Sequence, residues 1–169
     1  MELRTACSPK DVKHYTTERL RDEFLVQGLF TPDEIKLVYS HIDRIIIGAA
    51  TPVNKKLVLT AGEELRAEYF LQRRELGVIN IGGAGKITVD GKVYNVAPRE
   101  GMYIGMGSRD ISFESDDAGN PAKFYLNSAP ARRTCPTVLI KREGTPEDGV
   151  VIIKDENKVE LGSLEESNH

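Results

Sequence analysis

Residues 73–96 read RRELGVINIGGAGKITVDGKVYNV, and the role of the GGAGK at their centre decides the fold. A glycine-rich loop ending in lysine suggests a phosphate cradle, but the spacing excludes one. A Walker loop, G-x-x-x-x-G-K-[ST], needs glycine where Asn80 stands and Ser or Thr where Ile87 stands. A dinucleotide fingerprint, G-x-G-x-x-G, matches at Gly83 and Gly85 but has Thr88 in place of its last glycine. The sequence then runs into a hairpin rather than a helix, so no helix N-terminus is there to receive an anion. Asp90-Gly91 separates KITV (86–89) from KVYNV (92–96). Asp-Gly between β-formers is a strong hairpin signal, because a type I′ turn needs positive φ at both central residues. Gly82, Gly83 and Gly85 then read as the turn between GVINI (77–81) and KITV, permitting positive φ and close backbone approach.

Outward from this hairpin, short apolar runs recur: RIIIGAA (44–50), KKLVLT (55–60), GMYIG (101–105), DISFES (110–115), AKFYLNSA (122–129), TVLIK (137–141) and VVIIK (150–154). Turn formers separate them, among them Pro52, Pro98, Asp116-Asp117, Gly119-Asn120-Pro121, Pro136 and Thr145-Pro146. Many short strands with little helical periodicity predict an all-β sandwich or barrel of the jelly-roll kind. EFLVQGLF (23–30) reads as the start of the β-like region. Residues 11–24, DVKHYTTERLRDEF, predict a short helix or an arm packing on a neighbour. Thr31-Pro32-Asp33-Glu34 predicts a one-turn helix or a turn. GEELRAEYF (62–70) is helical in composition, but in a β context it also suits a connection leading into a strand, and both readings stay open. Leu164-Glu165-Glu166 is mildly helical. The expected division is an arm at 1–22, a β domain at 23–141 and a linker at 142–169.

At 169 residues the chain suits one compact domain with an appendage, and 40% apolar composition suffices for a core. A net charge of −3 gives no reason to expect nucleic acid or an anionic membrane. No apolar run spans a bilayer, and MELRTACSPKDVKHYTTERL has no signal-peptide core. Cys7 and Cys135 fit no metal spacing and read as reduced thiols of a cytoplasmic protein.

The strand, Gly-rich turn and Asp-Gly hairpin resemble the cupin family. Cupins carry a first motif, roughly G-x(5)-H-x-H-x(3,4)-E-x(6)-G, and a second, roughly G-x(5)-P-x-G-x(2)-H, whose three histidines and glutamate bind one metal. Placing the glutamate on Glu75 and the glycine on Gly82 leaves Tyr69, Phe70, Leu71 and Gln72 where histidines should be. In GMYIGMGSRD (101–110) the glycines fit the second motif, and Asp110 replaces its histidine. The resemblance implies a cupin-type (RmlC-like) jelly-roll without metal ligands; so few carboxylates and no imidazole make a poor zinc site.

A narrower and more specific resemblance covers residue 20 to the end. RDEFLV (21–26), LVYSHIDRII (37–46), RRELGVINIGGAGKITVDG (73–91) and PAKFYLNSAPA (121–131) resemble the 5-keto-4-deoxyuronate isomerase family. That resemblance implies a two-cupin ketol-isomerase of pectin and hexuronate breakdown, a small uronate substrate and a homo-oligomer. It implies zinc held by three histidines and a glutamate in the second half, which would make this chain the metal-free N-terminal half. His169 would then not be a ligand.

Ketol isomerisation moves a proton next to a carbonyl and needs a base. A substrate carboxylate suits an arginine fork. Four residues are therefore substrate-adjacent or interface candidates: His41, Arg44, Arg73 and Glu75. His41 in YSHIDR is either a base or interface residue, or a hydrogen-bonded structural histidine. Arg44, beside Asp43, either binds carboxylate or pairs between strands or subunits. Arg73, Arg74 and Glu75 form a charged knot suited first to a domain or oligomer contact and second to substrate. His14 is expected to be exposed. Tyr103, Phe113, Phe124 and Tyr125 are expected in the core or on a sheet face.

Overall fold

The computed structural model describes residues 1–141 in full, together with the backbone of residues 150–153 and 159–162. The expected turn at Thr145-Pro146, the helical tendency of Leu164-Glu165-Glu166 and His169 lie outside the described residues. The N-terminal part holds β1 (Glu2–Arg4), α1 (Pro9–Val12), α2 (Thr17–Phe24) and β2 (Ile35–Ser40). Then come β3 (Ile46–Ala50), β4 (Leu57–Val58), β5 (Arg74–Asn80), β6 (Gly85–Val89), β7 (Lys92–Val96), β8 (Gly101–Ile104), β9 (Ile111–Ser115), β10 (Phe124–Pro130) and β11 (Val138–Ile140). A hairpin of β12 (Val150–Ile153) and β13 (Val159–Gly162) follows.

The strand order fixes the architecture. One sheet runs β1-β2-β3-β10-β5-β8-β11 and the other runs β4-β9-β6-β7. Strand pairs β6–β7, β5–β8, β4–β9 and β3–β10 are nested and antiparallel. They form one long hairpin whose tip is Asp90-Gly91. Rolling it up adds the pairs β10–β5 and β9–β6. That is the double Greek key of a jelly roll. The tip has positive φ at both residues, 48° at Asp90 and 83° at Gly91, as a type I′ turn requires.

Period-2 alternation puts Leu76 and Val78 of β5, Ile87 and Val89 of β6, Met102 and Ile104 of β8, and Phe124 and Leu126 of β10 into one core between the sheets. Phe113 from one sheet meets Phe124 from the other at 5.4 Å between ring centroids. Tyr103 and Tyr125 stand half-buried on the outer face.

Several local expectations are corrected. The glycine turn works by close approach alone, since none of Gly82, Gly83 or Gly85 has positive φ. A Cβ at Gly82 would sit 2.5 Å from the Lys123 nitrogen, one at Gly85 would sit 2.5 Å from the Glu114 oxygen, and one at Gly83 would strike the Asn120 carbonyl. The strand before the turn begins at Arg74, three residues early, because β10 pairs with it as far as Pro130. KKLVLT shrinks to Leu57–Val58. The single helix over 11–24 is two, since Ser8 caps Pro9–Val12 and Thr16 caps Thr17–Phe24. Residues 23 and 24 therefore end a helix rather than opening a strand. At residues 31–34 the turn, not the one-turn helix, is the reading that holds, with Asp33 at φ 58°. Residues 62–70 form turns and bends that lead towards β5, the connection rather than the helix of the two readings. Strand β2, which pairs with β3, was not foreseen, nor was β1, which adds the first residues to the main sheet in parallel with β2.

Candidate functional site

One end of the jelly roll opens into a cavity of about 270 Å³. Its walls come from strand ends and loops: Tyr39 near the end of β2, Arg44 in the β2–β3 turn, Phe70 and Arg73 from the loop before β5, Arg74 at the start of β5, and Pro130 at the end of β10. The register places them together, since Pro130 lies opposite Arg74 and Tyr39 opposite Ile46.

Arg74 is the centre of this site. It shares the inward parity of Leu76 and Val78, and only 7% of it is exposed. Its Nε donates to Ser128 Oγ at 3.1 Å. Its Nη2 donates to the Ser128 carbonyl at 2.8 Å and to the Arg44 carbonyl at 2.6 Å. The guanidinium carbon lies 5.6 Å from the centre of the Tyr39 ring. Asp43 and Arg44 both have left-handed φ, 53° and 54°, and this turn delivers the Arg44 carbonyl to Arg74. Among the described residues no carboxylate pairs with Arg74. Burial pushes its pKa down, and the nearby Arg44 charge adds to this, against Tyr39. Arginine stays charged despite such a shift.

The four expected residues separate. Arg44 and Arg73 both line the cavity. Arg73 also donates to the Arg66 carbonyl at 3.0 Å, and Arg44 forms no ion pair with Asp43. His41 is exposed and is not among the lining residues; its ring stands edge-on to Tyr39 with centroids 5.5 Å apart. Glu75 has the opposite parity to Arg74 and faces the outer side of the sheet. There it accepts a hydrogen bond from Tyr103 Oη at 2.9 Å. Burial and Glu75 together push the Tyr103 phenol far up. His14 is exposed. Tyr39 was not foreseen as a site residue, and Arg74 only as a member of the charged knot. The signal was the alternation in RRELGVIN, which separates Arg74 from its two neighbours in the charged knot.

The residues present do not suit a metal. Phe70 and Leu71 are buried apolar side chains, Asp110 is exposed at the other motif, and arginines occupy the cavity. Among the described residues there is no cluster of three His, Cys, Asp or Glu able to hold one. Three cations around the cavity would repel a divalent ion. Both cysteines are free thiols.

A sequence profile described as the KduI/IolB family matches residues 24–150. The chain belongs to the KduI/IolB family. Three curated relatives are each named 4-deoxy-L-threo-5-hexosulose-uronate ketol-isomerase. The first, from Lachnoclostridium phytofermentans, is 69% identical over 169 residues, covering 100% of this chain and 57% of the relative. The second, from Lachnospira eligens, is 55% identical, covering 99% and 58%. The third, from Formosa agariphila, is 48% identical, covering 99% and 56%. This KduI/IolB chain therefore spans little more than half the length of the curated relatives it matches. Among solved structures, a cupin protein from Bacteroides fragilis has a TM-score of 0.39 at 16% identity, covering 52% of this chain and 66% of its own. The Cnp3 cupin domain of Schizosaccharomyces pombe has a TM-score of 0.44 at 10% identity, covering 57% and 64%. Among the described residues of this KduI/IolB member, no helix is long and apolar enough to cross a membrane.

Proposed function

We propose that this chain is the N-terminal half of a zinc-dependent ketol-isomerase. The whole protein would convert 4-deoxy-5-keto-uronate to 3-deoxy-D-glycero-2,5-hexodiulosonate in pectin and hexuronate degradation. The observation that carries this reading is 69% identity along the entire chain to a relative of that name, of which the chain covers 57%. In this reading the arm is 1–22, the cupin domain is 23–141 and 142–169 leads into the second half. The zinc belongs to that second half. The protein is cytoplasmic and homo-oligomeric, and takes neither nucleic acid nor membrane as partner.

The isomerisation needs a group that accepts and returns a proton. Arginine cannot serve, because it does not deprotonate in proteins. The cavity arginines of this half therefore bind and orient, with exposed His41 and outer-face Glu75 as interface positions. Assembly is supported by the outer face of the larger sheet. Ile79 of β5 and Ile140 of β11 are 49% and 39% exposed there.

The arginine cavity also favours a second reading, a stand-alone metal-free cupin that binds or senses a sugar. The downstream reading frame separates the two, because continuation into a cupin bearing H-x-H supports the isomerase. The decisive experiment measures bound zinc and isomerase turnover, first for this chain alone and then for the full-length protein. The expected result is stoichiometric zinc and turnover in the full-length protein alone. Tight stoichiometric zinc or turnover in the 169-residue chain would overturn the assignment.

A further inference from the structure

We propose that the Arg44–Arg73–Arg74 cavity is an oxyanion site that takes the carboxylate of a sugar acid. It would be a second ligand site, separate from any metal centre. The anion part stands on this structure alone; the choice of a sugar acid rests on the function proposed above.

A buried guanidinium without a counter-charge is costly, and the protein holds one here. The hydrogen bonds of Arg74 use Nε and both hydrogens of Nη2, all to neutral oxygens of Ser128 and Arg44. Its Nη1 has no protein partner among the described residues. It is not a sealed atom either, since the only buried side-chain polar atom without a partner among them is Thr51 Oγ1. Two donors therefore remain for a solvent-borne acceptor in the cavity that Arg74 lines. The other lining charges reinforce this polarity. Arg44 and Arg73 are cationic, and the lining carboxylate, Glu64, is held by the Met1 ammonium at 2.9 Å.

Arginine forks match a planar carboxylate, and desolvated charge-assisted hydrogen bonds are the strong kind. Tyr39 offers a ring wall beside the fork, and about 270 Å³ suits a monosaccharide acid rather than a polymer.

The test titrates the 169-residue chain with D-galacturonate, D-galactose and inorganic phosphate, read by calorimetry and amide chemical shifts. Saturable galacturonate binding with a Kd of ~1 mM or tighter is expected, with no saturation by galactose at the same concentrations. Arg74→Gln is expected to weaken it about tenfold or more. Arg44→Ala, at an exposed turn position, tests the same cavity without touching the core, and is expected to weaken binding severalfold. Absence of galacturonate saturation overturns the proposal, as does binding that both variants leave unchanged. Phosphate binding tighter than galacturonate overturns the sugar-acid assignment. The assay involves no turnover, so an inactive full-length protein would sink the isomerase reading while measured saturable binding still upheld the oxyanion site, and absent binding would sink the site without touching the isomerase reading.

Discussion

Arg74 Nε donates to Ser128 Oγ at 3.1 Å, and that hydroxyl donates onward to the Glu75 carbonyl at 2.6 Å. Ser128 is thus acceptor for a buried cation and donor across the β5–β10 pair. Ser128→Ala removes both roles while the guanidinium stays buried. The expected loss is about 1–3 kcal/mol, the penalty of leaving a buried polar group without its partner. Urea unfolding of the two chains checks it, and an unchanged midpoint would show that water replaces the hydroxyl.

A glycine of the turn and a glycine inside β5 should differ by space rather than by conformation. At Gly85 a Cβ would lie 2.5 Å from the Glu114 carbonyl and 2.8 Å from Ala122 Cβ. At Gly77 the nearest atom would be 3.6 Å away. Gly85→Ala is therefore expected to cost about 1–3 kcal/mol through backbone displacement. Gly77→Ala should be neutral or gain about 0.5–1 kcal/mol, because alanine has less freedom to lose in a strand. Thermal melts of the two variants give the comparison. Equal melting temperatures would remove close approach as the reason for the glycines.

The hairpin at Asp90-Gly91 was legible because turn chemistry and flanking β-formers agree locally. With it came the middle of the jelly roll. Strand β2 was harder to see, because IKLVYS alternates only weakly and its partner β3 decides it. The reading of 62–70 stayed open for a related reason. Helix-forming composition there is overridden by the need to carry the chain around the cavity. Arg44 and Arg73 were legible only as substrate-adjacent or interface candidates, with pairing or an interface contact the leading reading of each. Their convergence was not, because it depends on Arg44 sitting in a left-handed turn and on the register that sets Pro130 opposite Arg74. Glu75 looked like a neighbour of Arg74 in sequence, and strand parity sends the two to opposite faces.

Asp33 gives the fold an acid-sensitive point. Its Oδ1 accepts the backbone N–H groups of Val53 at 2.8 Å and Asn54 at 2.7 Å, and Oδ2 accepts from Asn54 Nδ2 at 2.8 Å. These hydrogen bonds to the charged form lower its pKa to about 2. The unfolded chain would hold the ordinary value of about 3.9. A folded-state pKa below the unfolded one stabilises the protein above the unfolded value. That contribution fades as pH falls from about 4 through about 2. Asp33→Asn keeps an acceptor and tolerates the left-handed φ, but cannot titrate. Its stability should therefore fall less steeply than the parent's across that window, in urea midpoints taken at successive pH values. Parallel curves would mean that other carboxylates dominate.

The register of the larger sheet aligns an apolar row on its outer face. Tyr125 lies opposite Ile79, Ile79 opposite Gly101, and Gly101 opposite Ile140. Gly101 contributes no side chain, so Ile79 and Ile140 flank a shallow groove. A solvated face of an antiparallel sheet is ordinarily polar, whereas this row is not. If the proposed homo-oligomer uses this row, a charge at each isoleucine would be buried without a partner in the assembly and solvated in the free chain. The double variant Ile79→Lys, Ile140→Lys should therefore lower the oligomeric state in sedimentation velocity. Its far-ultraviolet circular dichroism should be unchanged, because both positions are exposed in the single chain and surface substitutions usually shift stability by about 0.5 kcal/mol or less. An oligomer that survives both lysines would move the interface to another face.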